Sequence, residues 1–222
     1  MGSGPRLKQI GAGLVIAAAL IPLSRVGNHG PQPLRVDHTK AWAYVKTPHR
    51  SPTVLERRLG DVASFVARRP VEVRCEDFSE GNVVEPGGVV QFNGERPADF
   101  ARVRPDICSA IVHFVRTPGG VHACIKSADC DSRVLQAAQA LTVLAHESVH
   151  LRGLRNEAVV QCYAMQAVPA VARTLGAPIE DGRALAAIEY VYAYPHMPAA
   201  YRSVDCHPGG SLDLSRGKGW LH

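Results

Sequence analysis

No stripe of lysine and arginine with interleaved aromatics occurs in these 222 residues, so the usual footprint of a nucleic-acid binder is missing. The formal charge is only +5. Three of those positive charges, Arg6, Lys8 and Arg25, lie near the N-terminus and leave the rest at about +2. There is no internal repeat and no low-complexity tract, which argues against a solenoid or a disordered array. No Cys-x-x-Cys pair occurs, so the commonest redox and zinc-finger spacing is absent. The longest apolar run, Ile10 to Leu23, has 14 residues and falls short of the roughly 18 expected of a comfortable membrane span.

What is present fits a soluble globular body, with 46% apolar and 20% charged residues. The length suffices for one domain with a substantial core and some extra segments. At the N-terminus a short basic stretch, "GPRLKQ", precedes the apolar run, which is the layout of a secretory signal or an uncleaved signal anchor. Residues 1–28 are therefore expected to be a signal peptide or anchor, reaching a membrane only if uncleaved. Residues 29–50 form a linker and entry segment, opened by the breaker-rich "GNHGPQP". Residues 51–222 form the functional domain, on the extracytoplasmic side. The six cysteines, Cys75, Cys108, Cys124, Cys130, Cys162 and Cys206, agree with export. Even in number and scattered, they read as three disulfides, with Cys124 and Cys130 near enough to close a small loop.

Helical spacing of Leu55, Leu59, Val62, Phe65 and Val66 predicts a helix opened by Ser51-Pro52 and stopped by Pro70. "VEVRCEDF" alternates like a strand, and "GGVVQFNG", Gly87 to Gly94, reads as a second. A short helix is expected from Asp106 to Val115, with His113 packed in the core, followed by a turn at Thr117–Gly120 and a loop carrying His122. The apolar face of Val134, Ala137, Ala138, Leu141, Leu144 and Ala145 predicts a longer helix, capped at Asp131 or Ser132 and ending near Gly153. Asn156 caps the next helix, which runs to Gly176, and the chain from about Tyr190 is irregular. The whole is an α+β domain, mostly helical, with a minor sheet.

The longer helix carries His146-Glu147-Ser148-Val149-His150. Residues four apart on a helix differ by about 40° in direction and about 6 Å in rise. Two imidazoles so placed converge on one zinc ion at roughly 2.0–2.1 Å each. Glu147 then stands to one side of the metal, where a carboxylate takes a proton from water. A catalytic zinc needs a third protein ligand, and Glu157 is the best candidate. On an unbroken helix it would lie about 16 Å from His146. A left-handed Gly153 ends the helix and lets the chain bring Glu157 back. Glu180 and Glu189 are more distant alternatives.

His146-Glu147-Ser148-Val149-His150 resembles the signature of the zincin metallopeptidases, and "NEA" at Asn156 to Ala158 is similar to the glutamate-ligand segment of the thermolysin-like gluzincins. The resemblance covers only Ala145 to about Ala164. It implies His146, His150 and Glu157 as zinc ligands and Glu147 as general base, in a small zincin-like domain with an active-site helix, a following helix and a minor sheet. Six residues separate His150 from Glu157, far fewer than in thermolysin-like enzymes. "HESVHLRGLRN" also follows the metzincin pattern up to its last position, where Asn156, a poor ligand, replaces histidine. Met197 could imitate the metzincin methionine turn. His196, Tyr190, Tyr192, Tyr194 and Tyr201 are candidates for transition-state stabilisation. The expected activity is zinc-dependent hydrolysis of a peptide or protein substrate, an extended strand of which pairs with the edge near Val89 to Asn93. The rival expectation is an anchored or secreted non-catalytic binding or structural protein with a vestigial or structural zinc site. Glu147 argues against it, because zinc binding alone does not need that carboxylate.

Overall fold

A computed structural model describes residues 50–78, 87–117, 120–127, 130–216 and 219. The apolar run Ile10–Leu23 and all of the expected linker except residue 50 lie outside the described residues. Among the described residues no helix is long and apolar enough to cross a membrane.

The architecture is α+β and mostly helical. Helix α1, Val54–Ala67, opens one step later than its sequence suggests. Thr53, not Ser51, caps it, and its hydroxyl accepts from Glu56 N while the Glu56 carboxylate accepts from Thr53 N. This reciprocal capping box outcompetes the serine–proline start because it satisfies two orphan amides at once. The helix ends on Arg68, left-handed at φ 58. Strand β1, Glu72–Cys75, follows.

The stretch expected to be one strand, Gly87 to Gly94, divides into β2, Gly88–Val89, and β3, Phe92–Asn93. The latter pairs with β4, Arg96–Pro97, as a separate hairpin. Strand β5, Phe100–Val103, had no clear sequence signal, yet it is the centre of the main sheet. It runs parallel to β1 in the register Glu72↔Phe100 and antiparallel to β2 in the register Gly88↔Val103. The order β1-β5-β2 leaves β2 at an edge.

Helix α2, Pro105–Arg116, starts on a proline with Asp106 in its first turn. It turns Ile107, Ile111 and Phe114 inward, so His113 faces solvent rather than the core. His122 lies in a short helix, α3 (Val121–Ser127), not a loop, and its Nε2 is 3.0 Å from Asp181 Oδ1. Helix α4, Ser132–Leu151, is capped by Asp131 and is buried continuously from Ala140 to Leu151. Helix α5, Glu157–Thr174, packs on it, and α6, Ile179–Ile188, packs on both. The fully buried Leu141, Leu144 and Leu151 of α4 meet Leu59 of α1, Met165 of α5 and Leu185 of α6 in one core. Each such side chain contributes about 1.5–3 kcal/mol of burial. A π-helical turn, Glu189–Ala193, and two 3₁₀ turns, Tyr194–His196 and Ala199–Tyr201, complete the described chain, in place of a wholly irregular end.

All six cysteines are paired, as Cys75–Cys108, Cys124–Cys130 and Cys162–Cys206. The first ties β1 to α2, the second closes the small loop before α4, and the third ties α5 to the C-terminal segment. Such a set fits an oxidising compartment.

Candidate metal centre

Helix α4 presents His146 and His150 one turn apart on the same face. It stops at Leu151, and Gly153 takes φ 103, the left-handed conformation that glycine adopts without a Cβ penalty. The chain reverses through Leu154 and Arg155. Asn156 caps α5 by accepting from Val159 N at 3.1 Å, which settles its role as a cap rather than a ligand. Glu157, the first residue of α5, then returns to the histidines.

The result is a triangle of donor atoms. His146 Nε2 lies 3.0 Å from His150 Nε2 and 3.0 Å from Glu157 Oε2, and the third side, His150 Nε2 to Glu157 Oε2, is 3.3 Å. Three ligand atoms of a tetrahedral zinc, each about 2.0–2.1 Å from the ion, stand roughly 3.3 Å apart. The donors therefore need to move only a few tenths of an ångström to hold a metal ion. No other group of three such side chains occurs among the described residues.

The far nitrogens of both rings are engaged. His146 Nδ1 is 2.8 Å from Gln161 Oε1, and His150 Nδ1 is 2.8 Å from the Leu154 carbonyl oxygen. Both partners are acceptors, so each Nδ1 carries a hydrogen, and each Nε2 donates to Glu157 when it is protonated and offers its lone pair to a metal ion at the shared point when it is not. Such outer partners fix the tautomer and the ring plane of a metal-binding histidine. Gln161 carries little signal in the sequence. Its one available signal was its position four residues after Glu157, on the same face of α5.

Burial and charge act together here. Burial disfavours charge on His150, yet its hydrogen bond to Glu157 and the nearby charges of Glu147 and Glu157 outweigh this and raise its pKa. Burial likewise opposes ionisation of Glu157, but hydrogen bonds from the two histidines hold its pKa down at about 2. The carboxylate is thus ionised at neutral pH, as a ligand must be.

Glu147 is buried and lines the same cavity, of about 550 Å³. The backbone of Gly88 in edge strand β2 lies directly against it. A Cβ added there would come 2.5 Å from Glu147 Cγ and 2.6 Å from Oε1, so only glycine permits this approach. The β3–β4 hairpin borders the opening. Phe92 meets the His150 ring edge-on at 6.0 Å between centroids, Arg155 stacks over Phe92 at 5.2 Å, and Arg155 pairs with Glu95 at 3.2 Å.

The remaining sequence candidates separate clearly. Glu180 is exposed on α6 beside Arg183, away from the triangle. Glu189 lines the cavity but is not one of the converging ligands. Burial raises its pKa to about 7. His196 is exposed and Tyr192 largely so. The Tyr190 hydroxyl donates to the Cys206 carbonyl, and that of Tyr194 donates to the Ser203 carbonyl, so both serve the C-terminal segment. Tyr201 is different. Its ring lies 5.8 Å from that of His146, and with Met197 it forms part of the cavity wall. No protein-family model matches the chain, and comparison with curated proteins and with solved structures likewise gives no match.

Proposed function

We propose that this chain is a zinc-dependent peptidase of zincin type acting outside the cytoplasm. The observation that carries the reading is the triangle of two Nε2 atoms and one carboxylate oxygen with sides of 3.0–3.3 Å, with Glu147 in the same cavity. His146, His150 and Glu157 would hold the ion. Once bound, the metal would supply Lewis acidity towards a carbonyl and lower the pKa of water.

The chain's own groups do the rest. Glu147 takes the proton of the attacking water on its carboxylate and returns it to the departing amine nitrogen. Gln161 and the Leu154 carbonyl keep both imidazoles aimed. Tyr201, on the wall beside His146, donates its hydroxyl hydrogen to the carbonyl oxygen as charge develops there. The outer edge of β2, beside Glu147, aligns an extended substrate by main-chain hydrogen bonds. The secretory-type N-terminus and the three disulfides support the location.

The test combines metal analysis with hydrolysis. His146→Ala and His150→Ala are each expected to abolish zinc retention, and Glu157→Ala to weaken it strongly. Glu147→Gln preserves size and hydrogen bonding but takes no proton. It is expected to keep stoichiometric zinc while hydrolysis of a peptide library falls by about 10²–10⁴-fold. Hydrolysis at the parent rate by Glu147→Gln would remove the general base. Stoichiometric zinc with no cleavage by the parent chain would favour the non-catalytic rival.

A further inference from the structure

The cavity does not end at the three ligands. It continues along α4 past Val143 and Thr142, one turn before His146, to the exposed Gln139. Three polar groups of this part of the cavity wall have no hydrogen-bond partner among the described residues. Thr142 Oγ1 and Gln161 Nε2 are fully buried and make no hydrogen bond among the described residues. No hydrogen bond or ion pair to the Glu189 carboxyl occurs among the described residues, and its residue is only 2% exposed.

Burying a carboxyl group without a partner is costly, because its ionised form loses water and gains nothing in return. Glu189 is also the first residue of the π-helical turn that ends α6, where the chain packs against α4. Single π turns recur at functional sites because they redirect a side chain at the expense of regular hydrogen bonding.

We infer that this part of the cavity is a subsite for a basic side chain, lysine or arginine, on the substrate residue next to the cleaved bond. Glu189 is its counter-ion, and Thr142 Oγ1 accepts one of its N–H groups. Gln161 Nε2, a donor, suits the main-chain carbonyl of the same substrate residue. The cation supplies what the buried carboxyl lacks, and a neutral side chain leaves it unsatisfied. The word substrate rests on the peptidase reading, but the cation site itself does not.

The experiment uses the zinc-loaded Glu147→Gln chain and pairs of labelled, end-blocked hexapeptides that differ only in lysine or norleucine at one position. Binding is read by fluorescence anisotropy. At one position lysine is expected to bind more tightly by about tenfold or more. Adding Glu189→Gln should bring the lysine-to-norleucine ratio to about one, the size of an interaction with no charge to satisfy. Equal binding of lysine and norleucine peptides at every position overturns the subsite, and this arm needs no change at Glu189. A lysine preference that survives Glu189→Gln overturns the assignment of the counter-ion. The same peptides offered to the unsubstituted zinc-loaded chain separate the two readings. Cleavage without basic preference removes the subsite and keeps the peptidase. Lysine-selective binding without any cleavage removes the peptidase and keeps the cation site.

Discussion

At the residue scale, the centre depends on side chains that do not touch a metal themselves. Gln161 holds the His146 ring through Nδ1 at 2.8 Å, and the ring would otherwise be free to change tautomer or rotate. Gln161→Leu removes the acceptor at nearly constant volume and is expected to lower zinc affinity about 10–100-fold. Gln161→Glu supplies an acceptor again and should recover most of the loss. Competition against a chromophoric chelator reads both. Unchanged affinity in Gln161→Leu, or no recovery in Gln161→Glu, would show that Gln161 serves packing alone. His146 and His150 were legible in the sequence because their spacing alone places them on one helical face. Gln161 was not, since a glutamine four residues after an acid occurs on many helices and only the approach of α5 to α4 gives it a histidine to orient.

At the element scale, the joint between α4 and α5 decides whether a third ligand exists. Gly153 at φ 103 makes the reversal, and beyond its own chain neighbours no atom of the described residues lies within 4 Å of the Cβ it lacks. The cost of replacing it is therefore one of backbone conformation rather than space. Gly153→Ala is expected to destabilise the chain by about 1–2 kcal/mol. For a domain of this size that is a fall in Tm of roughly 2–8 °C. Zinc affinity should fall as well, because Glu157 follows four residues later. Gly153→Asn, which tolerates the left-handed region better, should fall between the two. Thermal melts with and without zinc measure the two effects separately. If Gly153→Ala matches the parent in both, the turn does not position Glu157. This joint was legible from the glycine and from the cap at Asn156. Strand β5 was not, because four residues with Arg102 among them carry little pattern, and β5 becomes a strand through its neighbours β1 and β2.

At the scale of the whole molecule, one buried acid ties Arg50 to the start of α1 and the end of β1. Glu56 is 1% exposed, and it accepts from Thr53 N at 2.7 Å and Cys75 N at 2.8 Å as well as pairing with Arg50. It thereby joins the start of α1 to the end of β1, beside the Cys75–Cys108 disulfide. The Arg50 guanidinium, ahead of the two backbone amides and against the opposing effect of burial, holds the Glu56 pKa at about 2 instead of the usual 4.5. As pH falls the unfolded chain takes up this proton first. The stabilisation is therefore complete above about 4.5 and is lost progressively down to about 2. Glu56→Gln is expected to lower stability by about 1–2 kcal/mol at pH 7, discounted for the half-exposed Arg50, and by much less near pH 2.5. Urea unfolding at the two pH values measures it, and an equal deficit at both would show that ionisation of Glu56 plays no part.

The amino-acid sequence by itself determined the local features: the helix with two histidines one turn apart, the glycine stop, the asparagine cap and six cysteines able to pair. Each follows from backbone geometry within a few residues, or from simple counting. The tertiary structure alone decided that Glu157, rather than Glu180 or Glu189, closes the triangle. It also decided which cysteines pair, that Gly88 lies against Glu147, and that the chain from Gly87 to Gly94 divides between two sheets. These depend on how α5, α6 and β2 pack around α4. That packing is set by the burial of side chains far apart in the chain, which no short stretch of sequence contains.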